Sequence, residues 1–86
     1  MYKIDPEIIC SSKVDDETLI LNLDTGFYYT LDAIGGAIWD RLLEGQGEDQ
    51  IVSMISENYN ADSEQVKNDF RELIAHLEKE GLIQKR

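Results

Sequence analysis

The sequence predicts an α+β fold in which a three-stranded antiparallel sheet is followed by three helices. Two observations carry that expectation. Apolar residues alternate with period two early in the chain, and a three-and-four spacing takes over from Asp32 onwards. A third observation sets the scale: 86 residues, 42% apolar and 30% charged, suffice for one packed domain and not for two.

Taking the elements in order, Glu7-Ile8-Ile9-Cys10 reads as the first strand, joined to the second by the acidic loop around Asp15, Asp16 and Glu17. The second strand is the clearest, because Leu19, Leu21 and Leu23 alternate with Ile20, Asn22 and Asp24. Asp24-Thr25-Gly26 is a turn signal, and Phe27 to Leu31 follows as an aromatic and β-branched third strand. A three-residue loop with Gly26 at positive φ opposes Leu23 to Phe27, Leu21 to Tyr29 and Leu19 to Leu31. That register puts the leucines, Phe27, Tyr29 and Leu31 on the core face and leaves Asn22, Tyr28 and Thr30 outside.

The helices cover this sheet. Asp32 caps the first, which runs to about Leu43 with Ile34, Ile38, Trp39 and Leu42 on its apolar face. Gly35 and Gly36 cost about 1 kcal/mol each in helix propensity, and close approach to another backbone is the expected return. Glu44-Gly45-Gln46-Gly47 ends it, and a second helix from about Glu48 to Tyr59 carries Ile51, Met54 and Ile55. The third opens at Asp62, with Gln65 three residues on in the manner of a capping box, and runs to about Glu80. Gly81 stops it, and Leu82 is placed to touch back on its last turn. Val66, Phe70, Leu73 and Leu77 form its central stripe. Ile74, about 80° round from the stripe's centre, is either the edge of a wider buried face or the lining of a groove beside the helix.

Composition excludes several functions. The 18 acids against 8 bases give a formal net charge of -10, which opposes binding to duplex DNA. The surplus is uneven, since Lys67 to Arg86 is the one stretch with a slight positive excess. No run is long and apolar enough to cross a membrane, and the start MYKIDPEIIC lacks the features of a signal peptide, so the cytoplasm is the expected location. One cysteine, Cys10, forms no internal disulfide, and with His76 as the one histidine no tetrahedral zinc site is expected. Cys10 in an apolar run reads as a small core residue and His76 as a half-exposed surface residue, not as a nucleophile and its base. The acids of Asp15-Asp16-Glu17 and Glu48-Asp49 read as solvated loop and helix-start charges. Gly35-Gly36 and Gly45-Gln46-Gly47 lack the Gly-Lys-Ser/Thr ending of a phosphate loop. No cofactor is expected.

What remains is surface for another chain. The third strand contains no Lys, Glu or Pro to discourage pairing at its edge. An extended peptide pairing along Phe27, Tyr28, Tyr29 and Thr30 gains main-chain hydrogen bonds for affinity and pockets for specificity. If the third helix lies beside that strand, Phe70 and Ile74 floor the pocket and Lys67 and Arg71 rim it. The competing expectation is that another part of the chain covers the edge. An open edge also permits a weak or strand-swapped dimer in place of a monomer.

The text Leu19-Ile20-Leu21-Asn22-Leu23-Asp24-Thr25-Gly26-Phe27-Tyr28-Tyr29-Thr30-Leu31-Asp32, then Ile34-Gly35-Gly36-Ala37-Ile38-Trp39, Leu42-Leu43-Glu44-Gly45, Val66 to Phe70, Leu73, Leu77 and Gly81-Leu82-Ile83, resembles the PqqD-like family over about residues 5–84. Asp32 stands where the family often shows Asn, a swap that keeps a helix cap. The resemblance implies a single winged-helix-like domain, a RiPP recognition element without enzymatic activity. Such a domain binds the leader of a ribosomally made precursor peptide as an added strand, between the third strand and the third helix. Its docking strand falls on Phe27 to Thr30 and its helical wall on Lys67, Phe70, Arg71 and Ile74. The partner it then serves is a maturation enzyme, either a lasso-peptide leader peptidase or a radical SAM enzyme of the pyrroloquinoline quinone type. The Thr-Gly-Phe-Tyr-Tyr hairpin and the Ile-Trp pair favour the lasso type. The alternative is a winged-helix regulator that binds nucleic acid or another regulator.

Overall fold

The computed structural model describes residues 2–85. Its elements are β1 (Tyr2–Lys3), β2 (Ile9–Val14), β3 (Glu17–Asn22), β4 (Tyr28–Leu31), α1 (Ala33–Leu43), α2 (Glu48–Asn58), α3 (Ser63–Lys79) and β5 (Gln84–Lys85). The main sheet is antiparallel in the order β2-β3-β4, and the three helices follow it, as the sequence predicts. A short second sheet, β1 against β5, ties the two ends of the described chain together and has no counterpart in the sequence-based expectation.

The first strand lies further along than Glu7 to Cys10. It pairs Ile9 with Asn22 and Val14 with Glu17, leaving Asp15 and Asp16 as the turn. Asp15 takes φ 57°, a left-handed conformation that aspartate tolerates better than most residues. Cys10 is exposed rather than buried, because the inward side of β2 at this level belongs to Ile9.

The β3–β4 hairpin is offset by one residue from the expected register. Ile20 faces Tyr29 and Thr18 faces Leu31, and the loop is Leu23 to Gly26. Gly26 does adopt positive φ, 78°. The extra loop residue is set by Asn22, whose side-chain oxygen accepts from the backbone N–H groups of Asp24 and Thr25 at 2.9 and 3.3 Å. One step in register turns every side chain over. Thr18, Ile20 and Asn22 are therefore the buried face of β3, while Leu19 and Leu21 are half-buried on the outer face and Leu23 and Phe27 are exposed.

α1 crosses the inner face of this sheet. Asp32 caps it, accepting from the Gly35 N–H at 2.8 Å. The glycines permit the approach: a Cβ on Gly36 would collide with Thr18 Oγ1, and one on Gly35 would lie 3.2 Å from the Leu31 Cβ. The close partner is thus a strand side chain, not backbone. Lys13 Nζ donates to Thr18 Oγ1 at 3.0 Å and pairs with Asp40 of α1 at 2.9 Å, and Trp39 Nε1 donates to Ser11 Oγ at 3.0 Å. Trp39 and Ile38 enter a core completed by Ile51 and Ile55 of α2 and by Phe70 and Leu77 of α3, each worth about 1.5–3 kcal/mol when fully buried. α2 opens at Gly47, whose N–H donates to Gln50 Oε1 at 3.4 Å. α3 opens at Asp62, which accepts from Glu64; Gln65 bonds Asp69 instead of completing a capping box. At the far end Gly81 takes φ 73°, the Leu82 N–H donates to the Leu77 carbonyl, and Leu82 is buried.

Gly36→Ala is expected to lower the free energy of unfolding by about 1–3 kcal/mol through overpacking, although alanine is the better helix former. Thr18→Ala in the same chain is expected to restore part of that loss. Urea unfolding of the two single variants and the double variant measures the coupling, and simple additivity would show that the α1–β3 contact is not tight.

Candidate functional site

β4 has one strand neighbour, β3, so its other edge is unpaired within the described chain. Asn22 donates to the Phe27 carbonyl at 2.9 Å, which fixes the alternation of the ladder. Asn22–Phe27, Ile20–Tyr29 and Thr18–Leu31 are the hydrogen-bonded pairs, so the N–H and C=O groups of Tyr28 and Thr30 point away from β3.

That edge opens onto a cleft of about 510 Å³. Thr30, Leu31 and Asp32 form the strand side, Ile34, Gly35 and Ile38 of α1 the floor, and Asp69, Glu72 and Leu73 of α3 the opposite wall. Ile34, assigned from sequence to the packed face of α1, is 41% exposed here and lines the cleft. At one end the Tyr29 hydroxyl donates to Glu80 Oε2 at 2.7 Å, a direct bridge from β4 to the end of α3. The hydrogen bond and nearby charge of Glu80 raise the Tyr29 pKa, so the phenol keeps its proton and remains the donor.

The strand half of the sequence-predicted site sits at the cleft edge. Thr30 lines it, Tyr29 bridges to α3, and Tyr28 and Phe27 are exposed at 68% and 66%. The helical half lies elsewhere. Phe70 and Ile74 are buried core residues, so Ile74 is the edge of a wide buried face and not a groove residue. Arg71 donates from Nε and an Nη to the two carboxylate oxygens of Glu48, at 3.1 and 3.3 Å, and therefore faces α2. Lys67 is on the same flank, close enough that its charge helps hold the Glu48 pKa down. None of these four lines the cleft. The reason is angular. α2 packs on the Lys67, Arg71 and Ile74 side of α3, which turns the buried stripe toward α2 and presents Asp69, Glu72 and Leu73 to β4. The acidic start of α2, Glu48-Asp49, complementary to Lys67 and Arg71, was the available signal for that orientation.

Among the described residues no group of three or more His, Cys, Asp and Glu side chains is placed to hold a metal ion. Among the same residues no helix is long and apolar enough to cross a membrane. Cys10 lies on β2 and His76 on α3, both exposed.

A small α+β domain with an open strand edge facing a helix across a cleft of mixed apolar and acidic lining is the class that these features define. The family model described as coenzyme PQQ synthesis protein D (PqqD) matches residues 17–83, and the chain belongs to that family. The structure of TbiB1 in complex with the TbiA(beta) leader peptide superposes with a TM-score of 0.89 at 36% identity, covering 98% of this chain and 96% of that one. A lasso peptide synthetase B1 complexed with its leader peptide shares the fold, with a TM-score of 0.87 at 21% identity and 98% of both chains covered. A search of curated proteins gives no significant match.

Two outcomes test this geometry. Ile74→Asp is expected to unfold or strongly destabilise the chain, by about 3 kcal/mol or more, because it buries an unpaired carboxylate. A well-folded Ile74→Asp chain, judged by near-ultraviolet circular dichroism, would place this residue outside the core. The Arg71 hydrogen bond lowers the Glu48 pKa, so its stabilisation is complete above the ordinary carboxylate range and is lost as pH falls through the depressed value. Glu48→Gln is accordingly expected to be less stable than the parent at neutral pH. The gap should narrow on acidification, as followed by urea midpoints at several pH values.

Proposed function

We propose that this protein is a non-catalytic adaptor that binds the leader segment of a ribosomally synthesised precursor peptide and presents it to a maturation enzyme. The observation that carries this reading is the unpaired β4 edge, where Tyr28 and Thr30 offer main-chain groups and Thr30 lines the adjoining cleft. A visiting strand gains two backbone partners at each of those residues, and alternate side chains reach Leu31, Ile34, Ile38 and Leu73. The likeness to TbiB1, solved with a leader peptide, supports leader binding here. The docking strand is then Phe27 to Thr30, as the resemblance implies, and the helical wall moves from Lys67, Phe70, Arg71 and Ile74 to Asp69, Glu72 and Leu73. The hairpin text Thr25-Gly26-Phe27-Tyr28-Tyr29 and the pair Ile38-Trp39 favour a lasso-pathway leader peptidase as the enzyme served, ahead of a radical SAM enzyme. Nucleic acid fits poorly, since the cleft is lined by carboxylates and the net charge is -10.

The test uses fluorescein-labelled TbiA(beta) leader peptide and fluorescence anisotropy. Proline placed successively along the peptide is expected to weaken binding about five- to tenfold at alternate positions, where an N–H must face β4. Leu73→Ser is expected to weaken binding by a similar factor with the circular dichroism spectrum unchanged, because Leu73 is only half-buried. Uniform tolerance of proline would remove strand addition as the binding mode.

A further inference from the structure

We propose that the peptide accepted by this cleft carries a lysine or arginine at a position that points inward, between β4 and α3, where Asp69 and Glu72 receive it. This inference rests on the leader-binding reading and specifies the chemistry of the segment bound. It begins from the lining: three carboxylates, Asp32, Asp69 and Glu72, surround Leu31, Ile34, Ile38 and Leu73, and no Lys or Arg is among the lining residues. Asp32 is engaged as the cap of α1. Asp69 accepts one hydrogen bond, from the neutral Gln65 amide at 3.0 Å. The ion pairs formed among the described residues are Lys13–Asp40, Arg41–Glu44 and Arg71–Glu48, so among those residues neither Asp69 nor Glu72 has a cationic partner, and His76 on the same flank supplies none.

The bases of α3 that lie nearest in sequence are spent elsewhere. Arg71 is held by Glu48, and Lys67 is on that same flank, facing α2. Two like charges one helical turn apart, Asp69 and Glu72, repel each other until a cation sits between or beside them.

Strand geometry says where that cation enters. In an added strand, residues opposite Tyr29 and Leu31 point to the inner side of the sheet, as those two do, and residues opposite Tyr28 and Thr30 point to the outer side. An inward side chain enters a cleft whose lining holds Leu31 and Leu73 together with the carboxylates. Lysine and arginine suit that path, since the aliphatic stem lies along apolar surface while the charged head stays at the wet rim. A second copy of this chain is the less suitable occupant, because edge-to-edge pairing would bring together two bodies of net charge -10.

The experiment replaces each residue of the fluorescein-labelled TbiA(beta) leader peptide in turn by Lys and, separately, by Glu, and measures binding to the intact protein at low salt. The net charge favours lysine weakly at every position, so the discriminating quantity is the alternation. At one or two inward positions lysine is expected to bind about fivefold or more tighter than glutamate, with little difference at the outward neighbours. The local gap is expected to close in an Asp69→Asn, Glu72→Gln double variant and to reverse in Glu72→Lys. Both positions are exposed, and an unchanged circular dichroism spectrum checks the fold of each variant. A peptide series that binds with no positional charge preference, or one whose preference survives both variants, overturns this inference and leaves leader binding standing. Failure of every peptide to bind overturns the leader reading together with it, as does a dimer in sedimentation that excludes the probe.

Discussion

The contact on which the architecture turns is the seating of α1 against β3 through Gly36 and Thr18. No Cβ fits there, so helix and strand approach more closely than ordinary side chains allow. Lys13, bonded to Thr18 and paired with Asp40, and Trp39, bonded to Ser11, hold the same helix to β2. The position of α1 then dictates the cleft. Ile34, Gly35 and Ile38 are its floor because α1 begins immediately after β4, with the cap Asp32 as the single residue between strand and helix. A helix seated further from the sheet would leave that floor deeper and would carry α3 away from the β4 edge.

The far wall depends on a different constraint. α3 has two flanks beside its buried stripe, and the ion pair from Arg71 to Glu48 assigns one of them to α2. The other flank, with Asp69, Glu72 and Leu73, is left to face the strand. The Tyr29–Glu80 hydrogen bond joins β4 to the end of α3, so strand and helix are tied directly as well as through the chain between them.

Much of this was legible in the residues. Asp32 as a cap, Gly81 and Leu82 as the end of α3, Gly26 at positive φ and the order of three strands and three helices follow from local stereochemistry, which neighbours do not override. The hairpin register was not legible by counting apolar residues. Leucines at 19, 21 and 23 outnumber the single isoleucine on the other face, yet Thr18 fits against a glycine and Asn22 closes the loop with its own side chain, and those two polar residues decide which face is buried. The flank of α3 that lines the cleft was not legible for a related reason. Periodicity finds the buried stripe of α3 to within a residue, and choosing between its flanks requires knowing where α2 packs. The pairing of β1 with β5 rests on two residues from each end, too few for any periodic signal.

The half-buried leucines on the outer side of β3 acquire a meaning from this arrangement. A fourth strand on β4 would set every second one of its side chains level with Tyr28 and Thr30, widening a surface that already holds Leu19 and Leu21. An added strand would thus alter the side of the sheet remote from α3 as well as the cleft itself.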